Sequence, residues 1–145
     1  MGTRSLDDLS SEFRPKAIEV LARLTERGIA MMIVQTLRTI SEHRQNLANG
    51  TSKTALSKHL PRVLRGYALD HPDAQKCDAI DIAPYDVYAL HGPDKLQWNA
   101  ADPAFAIIGE IGESLGLRWG GRWRDPVDPG HLELPLTTPT ETVRV

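Results

Sequence analysis

Apolar residues recur at helical spacing near the start of the chain. Ile18, Leu21 and Leu24 fall on one face over residues 15–27, Pro15 stands in the first turn and Gly28 lies just past the end. The pattern then changes. Ile29 to Val34 is a short, nearly continuous apolar run, which predicts a buried strand. Thr39 or Ser41 is placed to cap a second helix that runs to about Ala48 and stops at Gly50. From Thr51 to Cys77 no periodicity survives, and Pro61, Gly66 and Pro72 punctuate a long irregular segment. Loops of that length in a compact domain are usually functional or mobile. Asp78 to Ala83, closed by Pro84, alternates like a strand, with Ile80 and Ile82 on one face and Ala79, Asp81 and Ala83 on the other. Asp102-Pro103 opens a third helix, whose apolar positions Phe105, Ile108, Ile111 and Leu115 run to Gly116. Trp119 to Trp123 is turn-rich and aromatic, and His131-Leu132-Glu133-Leu134 alternates again. Pro135 to Val145, rich in Thr and Pro, predicts a frayed tail after a single domain at 1–134.

Composition narrows the function classes. The chain has 145 residues, with 17 Lys+Arg against 19 Asp+Glu and a net charge of −2, so it lacks the basic excess of a nucleic-acid binder. At this length a single domain buries roughly 68% of its unfolded surface and folds without a disulfide or a partner, so a monomer is expected. No run approaches the ~18 apolar residues of a membrane span. The first ten residues carry Arg4, Asp7 and Asp8 and no apolar core, so no Sec-type signal is visible, and Leu6 breaks the myristoylation pattern that Gly2 would open. One cysteine, Cys77, makes no internal disulfide and excludes a thiolate-rich zinc site.

Three groups of residues carry candidate chemistry: Ser57-Lys58-His59, Asp81 in its strand, and Asp128-Pro129-Gly130-His131. Two imidazoles and a carboxylate from separate elements make a three-ligand zinc site that leaves a fourth position for water. Such an ion polarises a carbonyl and lowers the pKa of water to about 7. Asp128, three residues before His131, is near enough to take the proton of that water without occupying the metal. By spacing alone the combination is common in a chain with five histidines.

These segments resemble the zinc peptidase family that contains D-alanyl-D-alanine carboxypeptidases and phage L-alanyl-D-glutamate endopeptidases. Its members carry a Ser-x-His segment, a small-x-Asp-Ile strand, and an acid three residues before a second histidine. Here these are Ser57-Lys58-His59, Ala79-Ile80-Asp81-Ile82 and Asp128-Pro129-Gly130-His131. The phage branch is similar to this chain also in Leu37-Arg38-Thr39 ahead of a Gln-containing helix and in Leu117 to Trp123, so the likeness runs in order over residues 6–134. It implies a single α+β domain with a small, mainly antiparallel sheet flanked by helices and zinc at one end.

The resemblance further implies a phage-type endolysin that cuts the L-alanyl-D-glutamate bond of the peptidoglycan stem peptide, an antimicrobial activity of host lysis. One zinc would be held by His59, Asp81 and His131, with Asp128 as general base and then acid. Arg38 would bind a substrate carboxylate or steady the oxyanion, and Ser57 would orient the loop or the substrate. The enzyme would be made in the host cytoplasm and reach bacterial peptidoglycan through a holin-like release partner. The chain departs from the family in the interval between His59 and Asp81, which is longer and holds Asp70, His71, Asp73 and Asp78 as rival ligands. Residues 60–77 are then expected as a loop above the site.

Other residues have plainer readings. His43, beside Glu42 and Arg44, is expected to be solvated, and His71 and His91 to lie at the surface, with His71 a reserve ligand. Trp98, Trp119 and Trp123 read as core or groove packing. Glu133 shares a strand face with His131, which suits support of that ligand better than a role as base. The rivals to the endopeptidase are a D-alanyl-D-alanine carboxypeptidase, a non-catalytic zinc-stabilised binding domain, and a cysteine peptidase built on Cys77 and His131.

Overall fold

Two antiparallel pairings made by β2 organise the chain. In this computed structural model, which describes residues 2–50, 57–85, 101–124 and 127–135, the strands are β1 (Met31–Gln35), β2 (Ala79–Pro84), β3 (Arg118–Trp119) and β4 (His131–Glu133). They form an antiparallel sheet in the order β1-β2-β4-β3. His91, Trp98 and the tail beyond Pro135 lie outside the described residues.

Each helix owes its bounds to local chemistry. α1 (Arg14–Glu26) has Pro15 in its first turn, where a missing N–H costs nothing. It ends where Gly28 takes φ +75°, and the amides of Gly28 and Ile29 bond back to Thr25 and Leu24. Its buried stripe is Ala17, Val20 and Leu24, one position off the expected face, and Ile18 is 47% exposed. α2 (Ile40–Ala48) is capped by Thr39 rather than Ser41. The Thr39 side chain accepts from the Glu42 amide while Glu42 reaches back to the Thr39 backbone. α3 (Pro103–Ser114) starts at Asp102, whose side chain accepts from the Ala104 amide.

The pleat divides the sheet by chemistry. Ile80, Ile82 and Leu132 face the helices and join Ala17, Val20, Leu24, Phe105, Ile108 and Ile111 in one buried cluster. Burying each large aliphatic side chain there contributes about 1.5–3 kcal/mol, which fixes the register of β2 and β4. The intervening positions, Asp81, His131 and Glu133, are thereby turned to the opposite face. Glycine permits the close fit on the helix side, since a Cβ on Gly112 would stand 2.4 Å from a Leu132 methyl.

The long segment before β2 is built around buried ions. Arg62 and Val63 at its start donate backbone bonds to Lys76 and Ala74 near its end, closing residues 60–77 on themselves. Beneath them Asp78, fully buried, accepts from Arg62 Nε and Nη2 at 2.9 and 2.8 Å and also from Arg65 and Ser10. Burial opposes the charge of Asp78, but Arg62, Arg65 and Ser10 overcome it and hold the carboxyl below its ordinary range. The segment therefore carries an ionic core of its own that faces Ser10 and Glu12.

Candidate metal centre

His59, Asp81 and His131 converge from three elements, with one ligand atom of each inside a 4.8 Å cluster. Asp81 Oδ1 lies 3.1 Å from His59 Nε2 and 2.9 Å from His131 Nδ1. The two rings meet edge to face, with centroids 5.1 Å apart. Asp81 and His131 are direct cross-strand partners, and His59 lies within a short turn that runs from Ser57 to Leu60.

The second nitrogen of each imidazole is already committed. His59 Nδ1 donates to the Thr36 carbonyl at 2.6 Å, leaving the Nε2 lone pair aimed at Asp81. That nitrogen is buried without a hydrogen bond of acceptable geometry. His131 Nε2 donates to Glu133 Oε1 at 2.8 Å, which turns Nδ1 inward. Two inward lone pairs, a carboxylate between them and outer partners that fix both tautomers suit a small divalent cation with N/O preference.

Electrostatics at the site follow from this crowding. Burial opposes the charge of Asp81, yet His59 and His131 outweigh it and hold the carboxyl far below the usual range. Burial likewise opposes a charged His131, but Asp81 and Glu133 raise it to about 10. Glu133, disfavoured by burial and favoured by His131 and Lys58, falls to about 2. A divalent cation bound among these groups would compete with the proton on His131.

Asp128 stands beside this cluster and outside it. Its Oδ2 is 3.9 Å from His131 Nδ1 and its side chain is 45% exposed. Partial burial and the charge of Asp81 both raise its pKa. The turn that carries it is tightly fitted. The Asp128 amide donates to the Gly120 carbonyl at 2.9 Å, and Trp119 Nε1 donates to the Pro129 carbonyl at 2.7 Å. A Cβ on Gly120 would meet the Asp128 carbonyl at 2.3 Å, and one on Gly130 would meet the Ile82 carbonyl at 2.3 Å.

Arg38 borders the same centre. Its backbone amide donates to the His59 carbonyl at 2.8 Å, and its head is held by Gln35, His43 and, at 3.5 Å, Ser57 Oγ. Ser57 Oγ also accepts from the His59 amide at 3.1 Å. Burial lowers the Arg38 pKa, and the charges of Asp81, Glu42 and Asp128 act against that.

The rival residues have other duties. Asp70 is exposed, Asp73 accepts from the Ser11 amide and hydroxyl, and Asp78 holds two guanidinium groups. His71 is half-buried and Nδ1 accepts from the Asp73 amide. Cys77 is fully buried, and burial pushes its thiol up to about 12, so no thiolate is available for a cysteine peptidase. The expectation of a solvated His43 is overturned: the ring is 1% exposed, because α2 turns that face onto Arg38. Trp119 packs against Gly109 and Gly121, while Trp123 leans on the His131 ring at 4.8 Å between centroids. Gln35 was not singled out by sequence; its only signal is a polar residue ending an apolar strand.

Comparison with known proteins points the same way. A family model described as D-alanyl-D-alanine carboxypeptidase matches residues 75–134, a span that includes Asp81, Asp128 and His131. The chain is 33% identical over 121 residues to the L-alanyl-D-glutamate peptidase of Escherichia phage T5, covering 70% of this chain and 73% of that protein. It is 28% identical over 131 residues to the L-alanyl-D-glutamate peptidase of Listeria phage A118, covering 89% of this chain but 39% of that longer protein. The crystal structure of an L-Ala D-Glu endopeptidase from Serratia marcescens aligns with a TM-score of 0.55 at 20% identity, over 92% of this chain and 88% of that one, and shares its fold.

Proposed function

The chain belongs to the zinc peptidase family of D-alanyl-D-alanine carboxypeptidases and phage L-alanyl-D-glutamate peptidases, and from that premise we propose that it is a phage-type endolysin hydrolysing the L-alanyl-D-glutamate bond of the peptidoglycan stem peptide. One zinc per chain would be held by His59, Asp81 and His131. The observation that carries the metal is the buried His59 Nε2, whose lone pair points at Asp81 and finds no hydrogen-bond donor. Zinc bound there would supply Lewis acidity toward the scissile carbonyl and toward water.

The chain's own groups do the rest. Asp128 takes a proton from the attacking water as its oxygen bonds to the alanyl carbonyl carbon. As the C–N bond breaks, the same carboxyl delivers that proton to the departing D-glutamate nitrogen. Arg38 binds a stem-peptide carboxylate or the developing oxyanion. Glu133 holds the His131 ring, and Ser57 supports both Arg38 and the His59 turn. The catalytic domain is residues 1–134, acting as a monomer and reaching the wall through a holin-like release partner.

Digestion of intact muropeptides by the zinc-loaded protein, followed by mass spectrometry, tests the bond. The expected product has a new amino group on D-glutamate and leaves L-alanine on muramic acid. Release of free D-alanine without that amine establishes the carboxypeptidase instead, the activity that describes the family model.

A further inference from the structure

α2 packs against the protein through a histidine. Among its described residues His43 is the buried side chain, while the apolar Ile40 and Leu47 of the same helix are 40% and 38% exposed. A helix held by hydrophobic burial alone would invert that choice. The reason lies in what the ring touches. His43 Nδ1 is 3.1 Å from Arg38 Nη1. A guanidinium only donates, so Nδ1 is the acceptor, the ring proton sits on Nε2, and the imidazole is neutral.

The opposite side of the guanidinium is held equally firmly. Gln35 Oε1 accepts from Arg38 Nε at 3.2 Å and from Nη2 at 2.9 Å. Gln35 is the cross-strand partner of Asp81, so it rises from the same sheet face as the metal-site carboxylate. Gln35 and His43 thus grip the head from two elements, and Asp81 and Asp128 both act on its charge.

We infer that His43 is a positioning residue for Arg38, holding the guanidinium in a single orientation at the edge of the metal centre so that it meets the substrate's anionic oxygen without rearrangement. What Arg38 does there rests on the peptidase reading above; that His43 orients it does not. Fixing a long, flexible cation before substrate arrives places it in the transition state at little entropic cost, and small misplacements of such groups lower rates by up to about 100-fold.

The test uses the zinc-loaded full chain with His43→Leu, His43→Asn and Arg38→Ala. The Asn oxygen stands where Nδ1 does and accepts the same N–H, whereas Leu keeps bulk and offers no acceptor. His43→Leu should lower turnover on stem peptide roughly 10- to 100-fold with zinc content unchanged, and His43→Asn should restore most of it. In the Arg38→Ala background His43→Leu should cost little more, because it acts through the missing arginine. Side-chain NMR reads the orientation without substrate: the Arg38 Nη1 protons, which face His43 Nδ1, should exchange slowly in the wild type and in His43→Asn, and quickly in His43→Leu. An unchanged Arg38 signal in His43→Leu, or an equal loss of turnover with and without Arg38, overturns the inference. Wild-type protein that cuts no stem peptide overturns the peptidase reading alone, and the NMR comparison still decides the role of His43.

Discussion

Asp81 and His131 face each other across β2 and β4, with Oδ1 2.9 Å from Nδ1. The pairing follows from the alternation of both strands. Ile80, Ile82 and Leu132 must enter the core, so Asp81 and His131 are left side by side on the other face. The separation of 50 residues along the chain is closed by sheet register and not by any local motif.

The first prediction concerns the ion. One zinc per chain should be found by metal analysis, and chelation should abolish hydrolysis. Thiol alkylation should leave activity intact, since Cys77 is fully buried and burial pushes its thiol up to about 12. Ala at His59, Asp81 or His131 should remove the metal, whereas Asp70→Ala should keep it. Active protein without stoichiometric metal would contradict this assignment.

Asp128→Asn separates proton transfer from metal binding. The amide keeps the shape of the carboxylate but takes up no proton at neutral pH. Turnover should fall on the order of 100-fold or more with zinc retained. Loss of zinc in parallel with activity would make Asp128 a ligand and remove it as the base.

Glu133→Gln tests the outer partner of His131. The Gln oxygen still accepts a hydrogen bond from Nε2, but the charge that favours ligation is gone. Zinc affinity measured by competition with a chelator should weaken about 10- to 100-fold. Unchanged affinity would reduce Glu133 to its ion pair with Lys58, 3.2 Å away.

Asp78 gives a pH prediction away from the metal. Its folded pKa is depressed, so its contribution to stability is present above the ordinary value of 3.8 and is lost as pH falls below it. Thermal melts should therefore show the midpoint dropping on the acid side of that value. Asp78→Asn takes the shared carboxylate from the buried Arg65 and leaves Arg62 to Glu12, and should destabilise by about 3–5 kcal/mol at neutral pH. A variant with wild-type stability and an unchanged acid limb would mean that Arg62 and Arg65 find other partners.

Gly130→Ala should couple backbone to site. The added Cβ would lie 2.3 Å from the Ile82 carbonyl, which accepts no such approach without opening β2 from the His131 turn. A loss of about 1–3 kcal/mol in chemical denaturation is expected, together with weaker zinc binding. Stability lost with affinity intact would show that the turn can shift without carrying His131.

Much of this molecule is written locally. Asp102 with Pro103 and Gly28 past the end of α1 bound their helices through neighbours only a few residues away, so the sequence alone determined them, whereas Thr39 and Ser41 were both open as the cap of α2 until the bond with Glu42 chose Thr39. The alternation around Asp81 and His131 likewise determined which face each takes, because a strand has period two. Resemblance, and not spacing, selected these residues from among several acids and histidines. Tertiary structure decided what depends on pairing between distant segments. Asp73 and Asp78 read as ligands by proximity, and only the fold shows them spent on Ser11, Arg62 and Arg65. The charged neighbours of His43 predict solvent, yet the ring is drawn inward because Arg38 presents a donor with a direction and a short reach. A one-dimensional pattern records how often a residue type is buried; whether a particular polar group is buried turns on whether a partner of matching geometry waits there, and that is fixed only when the chain closes.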